Sequence, residues 1–454
     1  MKNLKTSHYS SMIKSICFAS CLLICNTAVQ AQNSELQNVH TAIQLATDSL
    51  YESLVEIRRD IHQHPELSGE EKRTSEFIYQ YLSNLGLEVK AGIGGYSVIG
   101  VLKGKQPGKK IAWRADIDAI PIHNHGAGEA AAKKDEIGHN CGHDVHTAIG
   151  LGIANVLAKQ KEHIKGTIYF IFQPSEENYK GAKLMIDDGL FNVISPEEIY
   201  AAHISPMPAG LIASKPGYLF ADYKQINLTF KATEDNNEIA DFVKKRVSEL
   251  QNVAADSKFW DNSSLMDPNI GIGNPNTIFK DFVTVQKHFK VEENDGELKI
   301  IGFISASNEE SISAIPDQLK AAFKESKYGH LLKDVYYHSN MIGYSTERGN
   351  IDNDEQLTLQ TINTVANIYG PASAIQLYGI IPDGRGDDFS YFQQQVPGTY
   401  FLMGGSNFEK GIIAMPHSPD FSVDESCIKS GVKYFASMLV EQVNKTDESV
   451  SLKD

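Results

Sequence analysis

Apolar residues recur at helical spacing from residue 33 to 64, at Leu36, Ile43, Leu50, Leu54 and Ile57, which predicts a helix. His64-Pro65-Glu66-Leu67-Ser68 ends it. Ser68 and Glu71 then stand at capping-box spacing ahead of a second helix, Thr74 to Leu85, which Gly86 stops. Short apolar runs follow, Ser97 to Leu102 and Lys110 to Arg114, and read as strands; the second leads into Asp116-Ile117-Asp118. Thr147 to Ala158 is an apolar helix, Gly166 to Gln173 a buried strand, Ala182 to Asp188 a helix and Glu198 to His203 a strand. Alternating strands and helices predict an α/β domain.

The pattern changes near Ala221. Tyr223 to Ala232 reads as a strand, Asn237 to Leu250 as a helix, Thr277 to Phe289 and Leu298 to Ser305 as strands, Glu309 to Lys327 as a helix, and Asp334 to Tyr344 as a strand. That β-α-β-β-α-β order is the split ferredoxin-like unit. Asn252 to Asn276 is long, polar and turn-rich, an insertion or a mobile loop. The α/β pattern resumes with a helix at Asp354 to Tyr369, a strand at Gly398 to Met403 and a helix at Asp424 to Val440. The expected fold is therefore α/β, a catalytic domain in two pieces (32–220 and 346–454) with a ferredoxin-like α+β unit inserted at 221–345.

Residues 1–31 read as a signal peptide. Lys2, Lys5 and Lys14 precede a short apolar run, Ile16 to Ile24, and Val29-Gln30-Ala31 suits a cleavage site. The run is shorter than the ~20 residues a membrane span needs. A lipoprotein signal at Cys21 or Cys25 is the rival, against which Phe18 and Ile24 speak. Export to a bacterial periplasm or the medium is the expectation, with no membrane partner once the signal is removed. A formal net charge of -15 disfavours nucleic acid as partner. Outside the signal only Cys141 and Cys427 remain, too few for a disulfide framework.

Chemistry concentrates in Gly138-His139-Asn140-Cys141-Gly142-His143-Asp144-Val145-His146-Thr147. Thiolate and imidazole suit a divalent ion, and a carboxylate such as Asp144 can hold an imidazole in its ligating tautomer. The same stretch also reads as a polar loop before a helix capped by Asp144 or Thr147. Three distant groups shift the balance. Glu176 and Glu177 follow a buried strand, where open α/β sheets build sites. His203 closes another strand, and His417 lies between two prolines. Together Cys141, His143, Glu177, His203 and His417 offer enough ligands for two ions.

At these residues the chain resembles the two-metal amidohydrolases of the aminoacylase, hippurate hydrolase and auxin-conjugate hydrolase type. The resemblance rests on RRDIHQHPELSGEE (58–71), WRADIDAIPI (113–122), GHNCGHDVHTA (138–148), FQPSEE (172–177), DDFSYF (387–392) and HSPDFSVDE (417–425). It implies that Cys141, His143, Glu177, His203 and His417 bind two divalent ions, zinc first, with manganese, cobalt or nickel as alternatives. It implies Glu176 as general base towards a water shared by the ions. Asp116 and Asp118 fall in its RADxDA motif and read as groups that hold ligands.

Two departures stand out. Relatives carry Gly-Gly-His-Ala after the first strand of the inserted unit, and that histidine polarises the substrate carbonyl, often from a partner subunit. Here the stretch is Phe230-Lys231-Ala232-Thr233-Glu234-Asp235-Asn236-Asn237, and His288, His330 and His338 are the remaining candidates. Asp387 stands where relatives have Glu, and Arg385, where they have a small residue, is a candidate fork for a substrate carboxylate. The reading is metal-dependent hydrolysis of N-acyl amino acids or small peptides. Its rivals are a binding protein with impaired catalysis and a carboxypeptidase or dipeptidase with the same centre. The inserted unit also leaves a homodimer open.

Overall fold

The computed structural model describes residues 37–122, 137–338, 350–382 and 386–445. The expected signal peptide and Arg385 lie outside the described residues. Among the described residues no helix is long and apolar enough to cross a membrane.

The first helix, α1, covers residues 37–63. Then follow α2 (Lys72–Asn84), β1 (Glu88–Ala91), β2 (Val98–Lys103), β3 (Gln106–Asp116), β4 (Ile120–Pro121), β5 (Ile137–Gly138), α3 (His143–Lys159), β6 (Lys165–Gln173), α4 (Gly181–Asp187), α5 (Leu190–Val193), β7 (Glu198–Pro208), β8 (Ile212–Ser214) and β9 (Gly217–Tyr218). The remaining elements are β10 (Asp222–Lys231), α6 (Asn236–Ser248), β11 (Val283–Val285), β12 (Lys290–Asn294), β13 (Glu297–Ala306), α7 (Glu309–Lys324), β14 (Leu332–Tyr337), β15 (Asp352–Asn353), α8 (Glu355–Tyr369), β16 (Ala374–Gln376), α9 (Phe389–Gln393), β17 (Gly398–Ser406) and α10 (Ser426–Asn444).

The large sheet has eight strands in the order β1-β2-β6-β3-β7-β17-β8-β16. Its centre, β6-β3-β7-β17, is parallel, so the ends of these strands open on one edge. Strand β6 shows why the sheet is buried on both faces. Ile168, Phe170 and Phe172 point into one core with α3 and α10, while Tyr169 and Ile171 point into the other with α4 and α9. The α/β expectation holds.

Residues 222–337 build a second sheet in the order β14-β10-β13-β11, with β12 also on β13. Ile226, Leu228 and Phe230 of β10 alternate onto one face, where Ile239, Val243 and Val247 of α6 and Ile315, Leu319 and Phe323 of α7 cover them.

Three local expectations change. The strand expected over Thr277 to Phe289 is confined to β11, with β12 continuing along the same partner strand. Asn252 to Asn276 belongs to a strap packed on the large domain: Phe259, Ile272, Phe279 and Phe282 are buried with Leu377, Ile380 and Phe389. Apolar side chains spaced far apart in a polar stretch carry that packing, so no period announces it. The capping box at Ser68 and Glu71 does not form. The N–H groups of Arg73 and Thr74 donate instead to the Glu66 carboxylate, each at 2.8 Å, and the side chains of Ser68 and Glu71 turn away from the helix.

Candidate metal centre

The ends of β3 and β6, the middle of β7 and the start of α3 converge; His203, expected to close its strand, sits mid-strand because β7 continues to Pro208 alongside β17. Cys141 and His143 flank Gly142, whose φ of 92° is the left-handed region glycine adopts freely. A Cβ at Gly142 would lie 2.5 Å from Cγ2 of Ile204, so the turn brings this loop against β7. Cys141 Sγ lies 3.3 Å from His203 Nε2. Ligand atoms of Cys141, His143 and Glu177 lie within 4.8 Å of one another. His417 Nε2 is 3.2 Å from Glu177 Oε1. The His417 backbone N–H donates to the Asn140 carbonyl at 2.8 Å, which ties its loop to the cysteine loop. The structure thus brings together all five residues that the sequence offers as ligands.

Which imidazoles are free to bind a cation follows from their other bonds. His143 Nδ1 donates to the Asp118 carbonyl at 2.9 Å, and its buried Nε2 has no hydrogen-bond partner. His203 Nδ1 donates to the Ile204 carbonyl at 2.8 Å, leaving Nε2 towards Cys141. His146 lies in the same group, but both its nitrogens are used. Nδ1 donates to Asp116 at 2.5 Å, and Nε2 accepts the Ile204 N–H at 2.8 Å. His146 therefore clamps the backbone next to His203 and keeps no lone pair for an ion.

The electrostatics favour a cation. Burial opposes charge on His143, yet Asp116, Asp118 and Glu177 outweigh it and lift the imidazole to about 10. Burial, followed by Glu177 and Glu176, pushes the Cys141 thiol well up. Burial, assisted by His146, pushes His203 down to about 3, so its ring is neutral. An unpartnered buried imidazole nitrogen, a neutral imidazole, a thiol and carboxylates form a donor set that fits a divalent ion. A positive charge here would favour thiolate and offset the crowded carboxylates.

Glu176 Oε2 lies 3.8 Å from His143 Nε2. Burial, then Asp387, Glu177 and Asp388, hold its carboxyl well above the usual range. Behind it sits Arg114, fully buried at the end of β3. Its Nε donates to Gln173 at 2.8 Å, Nη1 to Asp116 at 2.6 Å, and Nη2 to Asp387 at 3.0 Å and Asp388 at 3.1 Å. Tyr400 adds a hydroxyl to Asp387 at 2.9 Å.

Asp116 and Asp118 stand beside the candidate ligands. Asp118 Oδ2 accepts from the Glu177 N–H at 2.9 Å and from Ser68 Oγ at 2.7 Å. Asp144 does something else. It takes Arg58 Nε at 2.7 Å and His62 Nδ1 at 2.8 Å and caps Val145, so it joins α1 to α3 and holds none of the five candidates directly. Sequence reasoning missed the roles of Arg114, His146, Asp388 and Tyr400. One signal was present: an arginine inside the otherwise apolar run of β3 needs a buried acidic partner.

The turn after β10 closes on itself. The Thr233 N–H donates to Asn236 Oδ1 at 2.8 Å and the Asp235 N–H to Thr233 Oγ1 at 3.2 Å. Among the described residues no hydrogen bond or ion pair ties His288, His330 or His338 to the candidate ligands.

Comparison with known proteins gives the site a context. The profile of peptidase family M20/M25/M40 matches residues 112–441. The chain is 30% identical over 404 residues to thermostable carboxypeptidase 1 of Saccharolobus solfataricus, covering 86% of this chain and 96% of that one. It is 29% identical over 420 residues to N-acetylcysteine deacetylase of Bacillus subtilis, covering 87% and 98%. A solved Bacillus subtilis protein, described as a dinuclear metal-binding peptidase of family M20, superposes with a TM-score of 0.67 at 25% identity. That alignment covers 88% of this chain and 100% of the other.

Proposed function

The chain belongs to peptidase family M20/M25/M40, and from that premise we propose that it hydrolyses the amide bond of N-acyl amino acids or small peptides with Glu176 as general base. Relatives named as hydrolases, peptidases and deacetylases make it a metal-dependent amidohydrolase in the broad sense. The observation that carries the finer reading is the placement of Glu176 Oε2 3.8 Å from a buried His143 nitrogen that has no hydrogen-bond partner among the described residues.

In this reading Cys141, His143, Glu177, His203 and His417 hold two divalent ions, zinc first, with manganese, cobalt or nickel as alternatives. Ions bound there supply Lewis acidity to the amide carbonyl and lower the pKa of water. Glu176 takes the proton as the water oxygen attacks the carbonyl carbon. It returns that proton to the amine nitrogen as the C–N bond breaks, so a carboxylate and an amine leave. Arg114, Asp387 and Asp388 keep the wall behind Glu176 polar and fixed. The basic and then apolar N-terminus supports export as part of the same reading.

In metal-loaded protein Glu176→Ala lowers turnover by about 100-fold or more while metal content is unchanged. Activity at the wild-type level in that variant would remove Glu176 as the base. The self-closed turn at Thr233–Asn236 supports a second reading, a metal-dependent binding protein with weak catalysis. A panel of N-acyl amino acids and dipeptides, run with zinc, manganese and cobalt, separates the two. Binding without turnover on every member favours the second. The same panel distinguishes a deacetylase from a carboxypeptidase, the two activities named among the relatives, and from a dipeptidase.

A further inference from the structure

Ser175, immediately before Glu176, has a φ of 58°. A side chain other than glycine rarely adopts that left-handed conformation, and it persists only where its surroundings hold it. Ser175 is buried, and the turn around it is crowded. Its carbonyl accepts the N–H of Gly181 at 3.0 Å and of Lys180 at 3.3 Å. A Cβ on Gly181 would lie 1.7 Å from the Pro174 oxygen, so the far side of the turn leaves no room to relax.

The near side is held by Glu71. Its Oε1 accepts the Ser175 N–H and the Gly69 N–H, each at 2.8 Å. Glu71 is fully buried, and among the described residues its Oε2 has no hydrogen-bond partner. Burial pushes the carboxyl up to about 7. Such a group is costly unless it has a task. Helix α2 does not need it, because Glu66 caps that helix. The same segment reaches the site a second time, through Ser68 Oγ on Asp118, which also holds the Glu177 N–H.

We infer that Glu71 is a positioning residue: its carboxylate oxygen locks the left-handed backbone at Ser175 and so sets the direction in which Glu176 and Glu177 enter the centre. This rests on the reading of Glu176 as base and Glu177 as ligand.

A double-mutant cycle on the metal-loaded, full-length protein tests it. Glu71→Ala lowers kcat by about tenfold or more, as a small misplacement of reacting groups does, with a smaller change in KM. Glu71→Gln keeps an acceptor oxygen and restores kcat. Ser175→Gly removes the conformational penalty, so the loss caused by Glu71→Ala shrinks to within about threefold in the Ser175→Gly background. Should the alanine variant fail to fold, Glu71→Met fills the space without accepting a bond and takes its place in the cycle. An equal loss in both backgrounds, a Glu71→Gln variant as poor as Glu71→Ala, or wild-type kcat in Glu71→Ala overturns the inference. Failure of the base assignment shows separately, as activity retained by Glu176→Ala.

Discussion

The strand ends of the large sheet, with the start of α3, and the first turn of the small sheet are both polar, and they use polarity in opposite ways. At the strand ends, each side chain orients another. Arg114 holds Asp116, Asp116 holds His146, and His146 holds the backbone beside His203. In the turn after β10, among the described residues, the side chains of Thr233 and Asn236 bond to their own segment. A chain of orienting bonds is what a preorganised centre needs, whereas a self-closed turn needs nothing beyond itself. Under the proposed function the contrast puts the chemistry in the large domain, and among the described residues no hydrogen bond links the turn after β10 to the candidate ligands.

The largest test of that contrast is Arg114→Met. It leaves Asp116, Asp387 and Asp388 buried without their cation and is expected to cost about 3–5 kcal/mol in urea unfolding. A cost within experimental error would mean that the network is not what holds the site. Next is His146→Phe. Metal affinity, measured by chelator competition, should fall by about 10–100-fold, because the clamp beside His203 is lost. Unchanged affinity would reduce His146 to packing.

A smaller effect is the pH dependence of Glu71→Gln. The Glu71 carboxyl, faced by the charge of Asp118, is lifted by burial to about 7, against about 4.3 in an unfolded chain. Between those values the folded state keeps a proton that the unfolded state has lost. The contribution of Glu71 is therefore fully present below the lower value and is lost as pH rises through the upper one. Relative to the wild type, the variant should gain stability between about pH 5 and about pH 8 in urea midpoints. An identical difference at both pH values would break the assignment. The smallest effect is Asn236→Ala at the start of α6, expected within about 0.5 kcal/mol and with unchanged kcat/KM. A large loss of activity there would erase the distinction between the two regions.

Much of this is legible in the sequence, and the remainder rests on tertiary contacts that no local pattern carries. Periodicity predicts the buried strands and helices that carry His143 and His203 or lead into the turns of Cys141 and Glu177, because those elements are buried and their patterns strong, whereas His417 lies in an exposed turn that no period marks. Cys427 is a buried free thiol, as its helical surroundings suggest. The partners of Arg114 were hidden, since Asp387 and Asp388 lie more than 270 residues away. The difference between His143 and His146 rests on a single backbone N–H, that of Ile204, which no spacing rule reveals. Ser68 and Glu71 fit a capping box by spacing alone, and tertiary bonds took them for the site. In Asn252 to Asn276 the apolar anchors are too sparse to form a period.

That last segment bears on motion. The strap leaves α6 and returns at β11, yet midway the Ile272 carbonyl accepts the N–H groups of Tyr378 and Gly379, and the Phe279 carbonyl accepts that of Ile380. The small sheet is thus fastened to the large domain at a point separate from the two chain crossings that join them. Swinging it as a rigid body would first break these bonds and lift Ile272 and Phe279 out of a shared core. Opening and closing would then proceed at the rate of a local unfolding event, slower than a free hinge turns, and amide exchange at Tyr378 and Ile380 would report that rate.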